Sequence, residues 1–224
     1  MVTTLRIFPL DSVLFPGMRL PVHVVEPRLS AVIEGLAGSD PLPQRLLGVV
    51  AIREGYQVGR RHGRQSAHRV GCEALVAEAT SRSDGSWDVE LVGQRRIRVE
   101  RLVSERRDEP LAAVAYPAEV DGPRAVEAAT AARTAFEAYR HLVATHGGAD
   151  LAGADLPAEP LPLSYALATV ATLPLRERQL LLEAADAADR LQRLTLMLRA
   201  ELAAMQAVAS LPATRLARTG WSPN

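Results

Sequence analysis

The spacing of apolar positions changes once along the chain. From Leu5 to about Val120 the apolar residues come in short runs broken by glycine and proline, the spacing of β-strands. Strands are predicted over Leu5–Leu10, Leu20–Val25, Leu46–Arg53, Val70–Thr80 and Trp87–Leu102. Phe15-Pro16-Gly17-Met18 reads as a turn, because proline presets one backbone angle and glycine tolerates the other. Glu26-Pro27-Arg28 opens a short helix that places Leu29, Val32, Ile33 and Leu36 on one face and stops at Gly38. Ser83-Asp84-Gly85-Ser86 is a hairpin signal. In the returning arm Arg96 and Arg98 alternate with Ile97 and Val99, which predicts a strand with one charged and one apolar face.

Beyond Asp121-Gly122-Pro123 the steps become three and four residues, and helices are predicted. The first runs to about Thr145 and ends at Gly147-Gly148; residues 149–161 are an aperiodic connector. Two further helices, Pro162–Thr172 and Leu175–Ala184, are separated by Pro174. The last, about Ala187–Val208, carries Leu191, Leu194, Leu198, Leu202 and Met205 as a stripe, which favours a core-facing helix over a partner-docking one. The expected architecture is therefore α+β: a β-rich barrel over 1–120, a helical unit over 121–209, and a loosely ordered tail over 210–224.

Composition trims the functional options. With 224 residues, 48% of them hydrophobic and 23% charged, the chain has the apolar content to fold around a core. Acidic and basic residues balance at 26 each, so no overall field draws it to nucleic acid or to an anionic membrane. Every basic residue is arginine, and the lack of lysine removes Walker-type phosphate loops, Schiff bases and Ser/Lys dyads. Cys72 is the single cysteine, which rules out an internal disulfide and a multi-thiolate zinc site and suits a reducing cytoplasm. No leader pattern and no membrane-spanning run is seen, so a cytoplasmic protein of bacterial type is expected.

Candidate chemistry is sparse. His62, His68 and Cys72 fit no standard zinc spacing, and Cys72 within a β-type run reads as a small buried hydrophobe, so no metal, cofactor or catalytic residue is expected. A nucleophile, base and orienting group cannot be assembled, which places an enzymatic reading last. Glu177, Arg178 and Glu183 read as charges stabilising a helix surface. Arg60, Arg61 and Arg64 form a compact basic loop able to meet phosphate or acidic peptide, although the solvated-surface reading of such a run is favoured. Arg95, Arg96 and Arg98 invite a nucleic-acid reading, but three Phe and two Trp leave little for base stacking. The turn Phe15, Pro16, Gly17, Met18 either presents apolar side chains to a partner or closes the barrel.

Several of these segments, in order, carry a resemblance: Phe8-Pro9-Leu10, Leu14-Phe15-Pro16-Gly17-Met18, Leu20-Pro21-Val22-His23, Glu26-Pro27-Arg28, Gly48-Val49-Val50 and Val92-Gly93-Gln94-Arg95-Arg96-Ile97. In the helical half Leu173-Pro174-Leu175, Glu177-Arg178-Gln179, Leu181-Leu182-Glu183 and Arg190-Leu191 continue it. Together they resemble the amino-terminal domain of Lon proteases. That resemblance implies a PUA-like pseudo-barrel followed by a helical bundle, and a non-catalytic module that recognises polypeptides. The partners it implies are unfolded or specific client proteins, with a separate protease as a further partner. Phe15, Pro16, Gly17, Met18, Glu26, Pro27, Arg28, Arg60, Arg61 and Arg64 are the candidate contact residues, and the groove between barrel and helical half is the candidate place. The competing expectation is an RNA-associated PUA-like module using the Arg60–Arg64 loop.

Overall fold

The computed structural model describes residues 3–37, 45–53, 67–104, 110–145 and 156–209. Six strands come first, interrupted by one helix: β1 (Thr3–Leu10), β2 (Arg19–Val24), α1 (Pro27–Ala37), β3 (Leu46–Ala51), β4 (Val70–Ser81), β5 (Trp87–Ser104) and β6 (Leu111–Ala115). Four helices follow: α2 (Ala125–Thr145), α3 (Pro160–Val170), α4 (Leu175–Leu182) and α5 (Ala187–Ala209). The α+β expectation is met at this level. The strand β6 was not anticipated, and Arg60, Arg61, Arg64, His62 and the tail from 210 lie outside the described residues.

Pairing runs β5–β4–β3–β1–β6 and returns from β6 to β5, so five strands form a ring, with β2 laid along the amino-terminal half of β5. All pairs are antiparallel except β1 with β3, whose parallel register sets Ile7 opposite Gly48 and Leu10 opposite Ala51. The 18-residue β5 serves β2 with one half and β6 with the other. Register shifts on β4 and β5 supply the extra twist that such a bent strand needs.

Both faces of the central strands are covered. Leu5 and Ile7 of β1 pack with Val50, Ile97, Ala112 and Val114, while Phe8 and Leu10 pack with Leu47, Val49, Leu91 and the inner face of α1. A third cluster joins α2, α3, α4 and α5 through Phe136, Tyr139, Leu163, Leu167, Leu181, Leu182, Leu191, Leu194 and Leu198. It also takes in Val13, Phe15 and Ala51 from the strand half, so apolar burial is continuous across the junction. Each large side chain fully buried there contributes about 1.5–3 kcal/mol.

The junction is tied by backbone as well. Asp186 caps α5 by accepting the Asp189 N–H at 2.8 Å, and Asp189 in turn accepts the Ala185 N–H at 2.9 Å. The free amides of Ala187 and Ala188 at the helix start donate to the carbonyls of Val120 and Asp121 at 3.1 and 2.8 Å. Gly122 (φ +78°) lies against the Asp186 carboxylate, where a side chain would collide.

Candidate functional site

The turn after β1 is built as the sequence requires. Met18 N–H donates to the Phe15 carbonyl at 3.0 Å, with Pro16 leading and Gly17 at φ +81°, a type II turn. Gly93 of β5 locks it in place: Gly17 N–H donates to the Gly93 carbonyl and Gly93 N–H to the Met18 carbonyl, both at 2.9 Å. A Cβ on Gly93 would run into the Phe15 carbonyl oxygen. The turn thus directs its two sides differently. Phe15 is fully buried, its ring 6.4 Å from that of Tyr165 and 5.1 Å from the Arg178 guanidinium, whereas Pro16 and Gly17 face outward.

Pro16 and Gly17 form one lip of a groove of about 610 Å³. Gln94, Arg95 and Arg96 from β5 and Glu119 from the connector line it on the strand side; Pro157, Leu161, Pro162, Tyr165, Ala166, Thr169 and Val170 line it on the helical side. The lining is predominantly apolar, and its volume suits a few amino-acid side chains.

Beneath it lies a buried polar chain. Arg190 of α5, with no exposed surface, donates from Nε to the Leu181 carbonyl (2.9 Å), from Nη1 to Ser164 Oγ (2.8 Å) and from Nη2 to the Tyr165 hydroxyl (3.0 Å). Tyr165 donates to Glu119 Oε2 at 2.9 Å, and Glu119 Oε1 accepts Arg96 Nε at 2.9 Å. Arg96 also donates to the carbonyls of Leu182 and Ala184. Burial pulls the Arg190 guanidinium below the usual arginine range and pushes the Tyr165 phenol up. One carboxylate therefore serves two buried guanidiniums, and their geometry fixes α3 and α5 against β5. Arg96 departs from the strict alternation expected of this strand: a register shift beside Arg95 and the overlying α4–α5 connection put it 4% exposed among carbonyls.

A second clamp comes from α4. Arg178 donates to the Val13 carbonyl at 3.2 Å and approaches Met18 Sδ at 3.5 Å, and Gln179 donates to the Val70 carbonyl at 3.1 Å. Glu183 accepts from Gln179 at 2.6 Å and pairs with His68 Nδ1 at 3.3 Å. Arg178 and Glu183 thus tie the helical half to the strands, beyond the surface role expected of them. Cys72 is buried, its thiol pushed well above the ordinary range, chiefly by desolvation. Glu26, Pro27 and Arg28 sit where β2 hands over to α1, with Arg28 Nε 3.8 Å from Glu26, and none of them lines the groove.

A strand ring and a helical half thus share one predominantly apolar groove. The chain belongs to the substrate-binding domain family of the ATP-dependent protease La (LON), whose model matches residues 4–200. The fold is shared with solved structures, among them the following two. The Lon N-terminal domain protein from Xanthomonas campestris is 24% identical over 94% of this chain and 99% of that one, with a TM-score of 0.56. The N-terminal domain of Mycobacterium avium complex Lon protease is 16% identical over 88% of this chain and 98% of that one, with a TM-score of 0.64. No curated protein matches the sequence. Among the described residues no helix is long and apolar enough to cross a membrane.

Proposed function

We propose that this chain is a non-catalytic, ATP-independent polypeptide-binding module that holds exposed apolar segments of client proteins in the groove between its strand ring and its helical half. The supporting observation is the groove itself: preformed, predominantly apolar, and floored by a hydrogen-bonded chain from Arg190 to Arg96 that keeps its walls in place. In this reading the ring over 1–120 is a PUA-like pseudo-barrel and 121–209 a helical bundle, acting in the cytoplasm and passing clients to, or withholding them from, a separate protease. Family membership and the lack of lysine support the absence of ATPase and Ser/Lys peptidase chemistry from these residues. RNA binding has less support, because Arg96 is sealed from solvent and held by Glu119, and the groove lining is predominantly apolar.

A groove-filling substitution tests this. Ala166 lies half-buried in the groove wall on α3, and Ala166→Trp places an indole where a client side chain would sit. Fluorescence anisotropy with labelled apolar decapeptides is expected to show micromolar binding to the native chain and at least tenfold weaker binding to the variant, with unchanged circular dichroism. Equal affinity for both chains would place binding elsewhere.

A further inference from the structure

Charge around the groove narrows what it can select. Three charged side chains line it among the described residues: Arg95, Arg96 and Glu119. Arg96 and Glu119 satisfy each other at 2.9 Å, and Arg96 is sealed from solvent. Arg95 differs, because its side chain is 56% exposed while its counter-ion Glu73 is 4% exposed beneath it. Solvent and any ligand therefore meet the cation and not the anion.

The guanidinium is also held in one orientation. Its Nε donates to Glu73 Oε1 at 2.9 Å, and its Cζ lies over the Tyr116 ring, 3.5 Å from the ring centre. Tyr116 in turn donates to the other Glu73 oxygen at 2.5 Å. Glu73 engages Nε, so the terminal nitrogens remain for a second carboxylate, and little rotamer entropy is lost when one arrives. The groove that Arg95 lines also carries Pro16, Leu161, Pro162, Ala166 and Val170.

We propose that the groove selects apolar client segments that carry an aspartate or glutamate next to the apolar anchor, with Arg95 as the residue that reads the carboxylate. This deepens, and rests on, the groove reading above. A nucleic acid matches the lining less well: its one aromatic, Tyr165, is buried and offers no stacking platform, and the apolar wall would face phosphate.

The test uses three labelled decapeptides, identical apart from Asp, Asn or Lys at the position flanking an apolar block of Leu, Val and Phe. Against the native chain in low salt, the Asp peptide is expected to bind about threefold tighter than the Asn peptide and roughly tenfold tighter than the Lys peptide. The ranking should flatten at 0.5 M salt, a readout that needs no variant. Arg95→Gln should erase the ranking, bringing the Asp, Asn and Lys peptides to within about twofold of one another. Equal binding of all three to the native chain, or a ranking that survives Arg95→Gln, overturns the selectivity; the groove reading then still stands if Ala166→Trp blocks binding. Failure of every peptide to bind, or displacement of the Asp peptide by an oligouridylate, overturns both.

Discussion

Replacing Glu119 by glutamine keeps the shape of the side chain and removes the one carboxylate in the network beneath the groove. Oε1 takes Arg96 Nε and Oε2 takes the Tyr165 hydroxyl, each at 2.9 Å, while Tyr165 receives Arg190 at 3.0 Å. In Glu119→Gln the amide carbonyl can still face Arg96, but the NH₂ then meets Tyr165 as a second donor. Arg96 is left without its ion-pair partner, and the Arg190–Tyr165 chain loses the carboxylate that ends it. Breaking a buried pair by neutralising one partner costs about 3–5 kcal/mol. Because the Glu119 side chain is 25% exposed, water offsets part of this, and we expect a loss of about 2–3 kcal/mol. For a chain of this size that lowers Tm by roughly 5–10 °C. The assay is urea unfolding followed by circular dichroism, with Glu137→Gln as the comparison. Glu137 pairs with Arg140 at 2.6 Å on the exposed face of α2, where neutralisation should cost less than about 0.5 kcal/mol. If the two variants unfold at the same urea concentration, the buried chain is not what holds the halves together.

Two further outcomes follow from local geometry. Gly93→Ala should destabilise by more than about 2 kcal/mol, since its methyl group meets the Phe15 carbonyl and the pinned turn must shift, whereas Gly85→Ala, at φ +83° in open space, should cost only about 1 kcal/mol; thermal melts of both variants decide the order. Asp189 is half-sheltered in the first turn of α5, where burial raises its pKa but the bonds from Arg193 and the Ala185 amide prevail and hold it below the usual carboxylate range. A depressed folded value stabilises the fold above the unfolded pKa, and that contribution fades as pH falls through the folded value. Asp189→Asn should therefore lower stability to urea at pH 7, by about 0.5 kcal/mol, and the difference from the native chain should shrink as pH falls below the ordinary carboxylate range; a difference that stays constant as pH falls would contradict it.

How much of this was legible in the sequence differs by feature. The Phe15–Met18 turn, the Asp84-Gly85 hairpin and the helix limits at Asp121-Gly122 and Pro174 are written in residues whose backbone preferences act locally, and the structure has a turn or break at each. The strand β6 escaped because Leu-Ala-Ala-Val-Ala has neither alternation nor β-branched richness, and only pairing with β1 and β5 makes it a strand. The parallel β1–β3 pair and the closure of the ring are likewise long-range facts.

The groove was expected between the two halves, but its walls were assigned only in part. Pro16 and Gly17 were named, while Arg95, Arg96, Glu119 and the α3 face were not placed there. Phe15 turned inward because the turn, pinned at Gly93, leaves its side chain over the helical core. A signal for Arg190 did exist: it lies three residues after Ala187 and four before Leu194, on the apolar stripe itself. A charge on such a stripe must find buried partners, and here they are Ser164, Tyr165 and a backbone carbonyl.

The most direct measurement on the central claim is a backbone amide NMR titration of the isotopically labelled chain with an apolar client peptide. Client binding in the groove predicts shifts concentrated at Gly17, Gln94, Leu161, Ala166, Thr169 and Val170, with α1 and the outer face of α2 silent. Shifts gathered on α1, on the β4–β5 hairpin or nowhere would contradict the groove as the site where polypeptide is held.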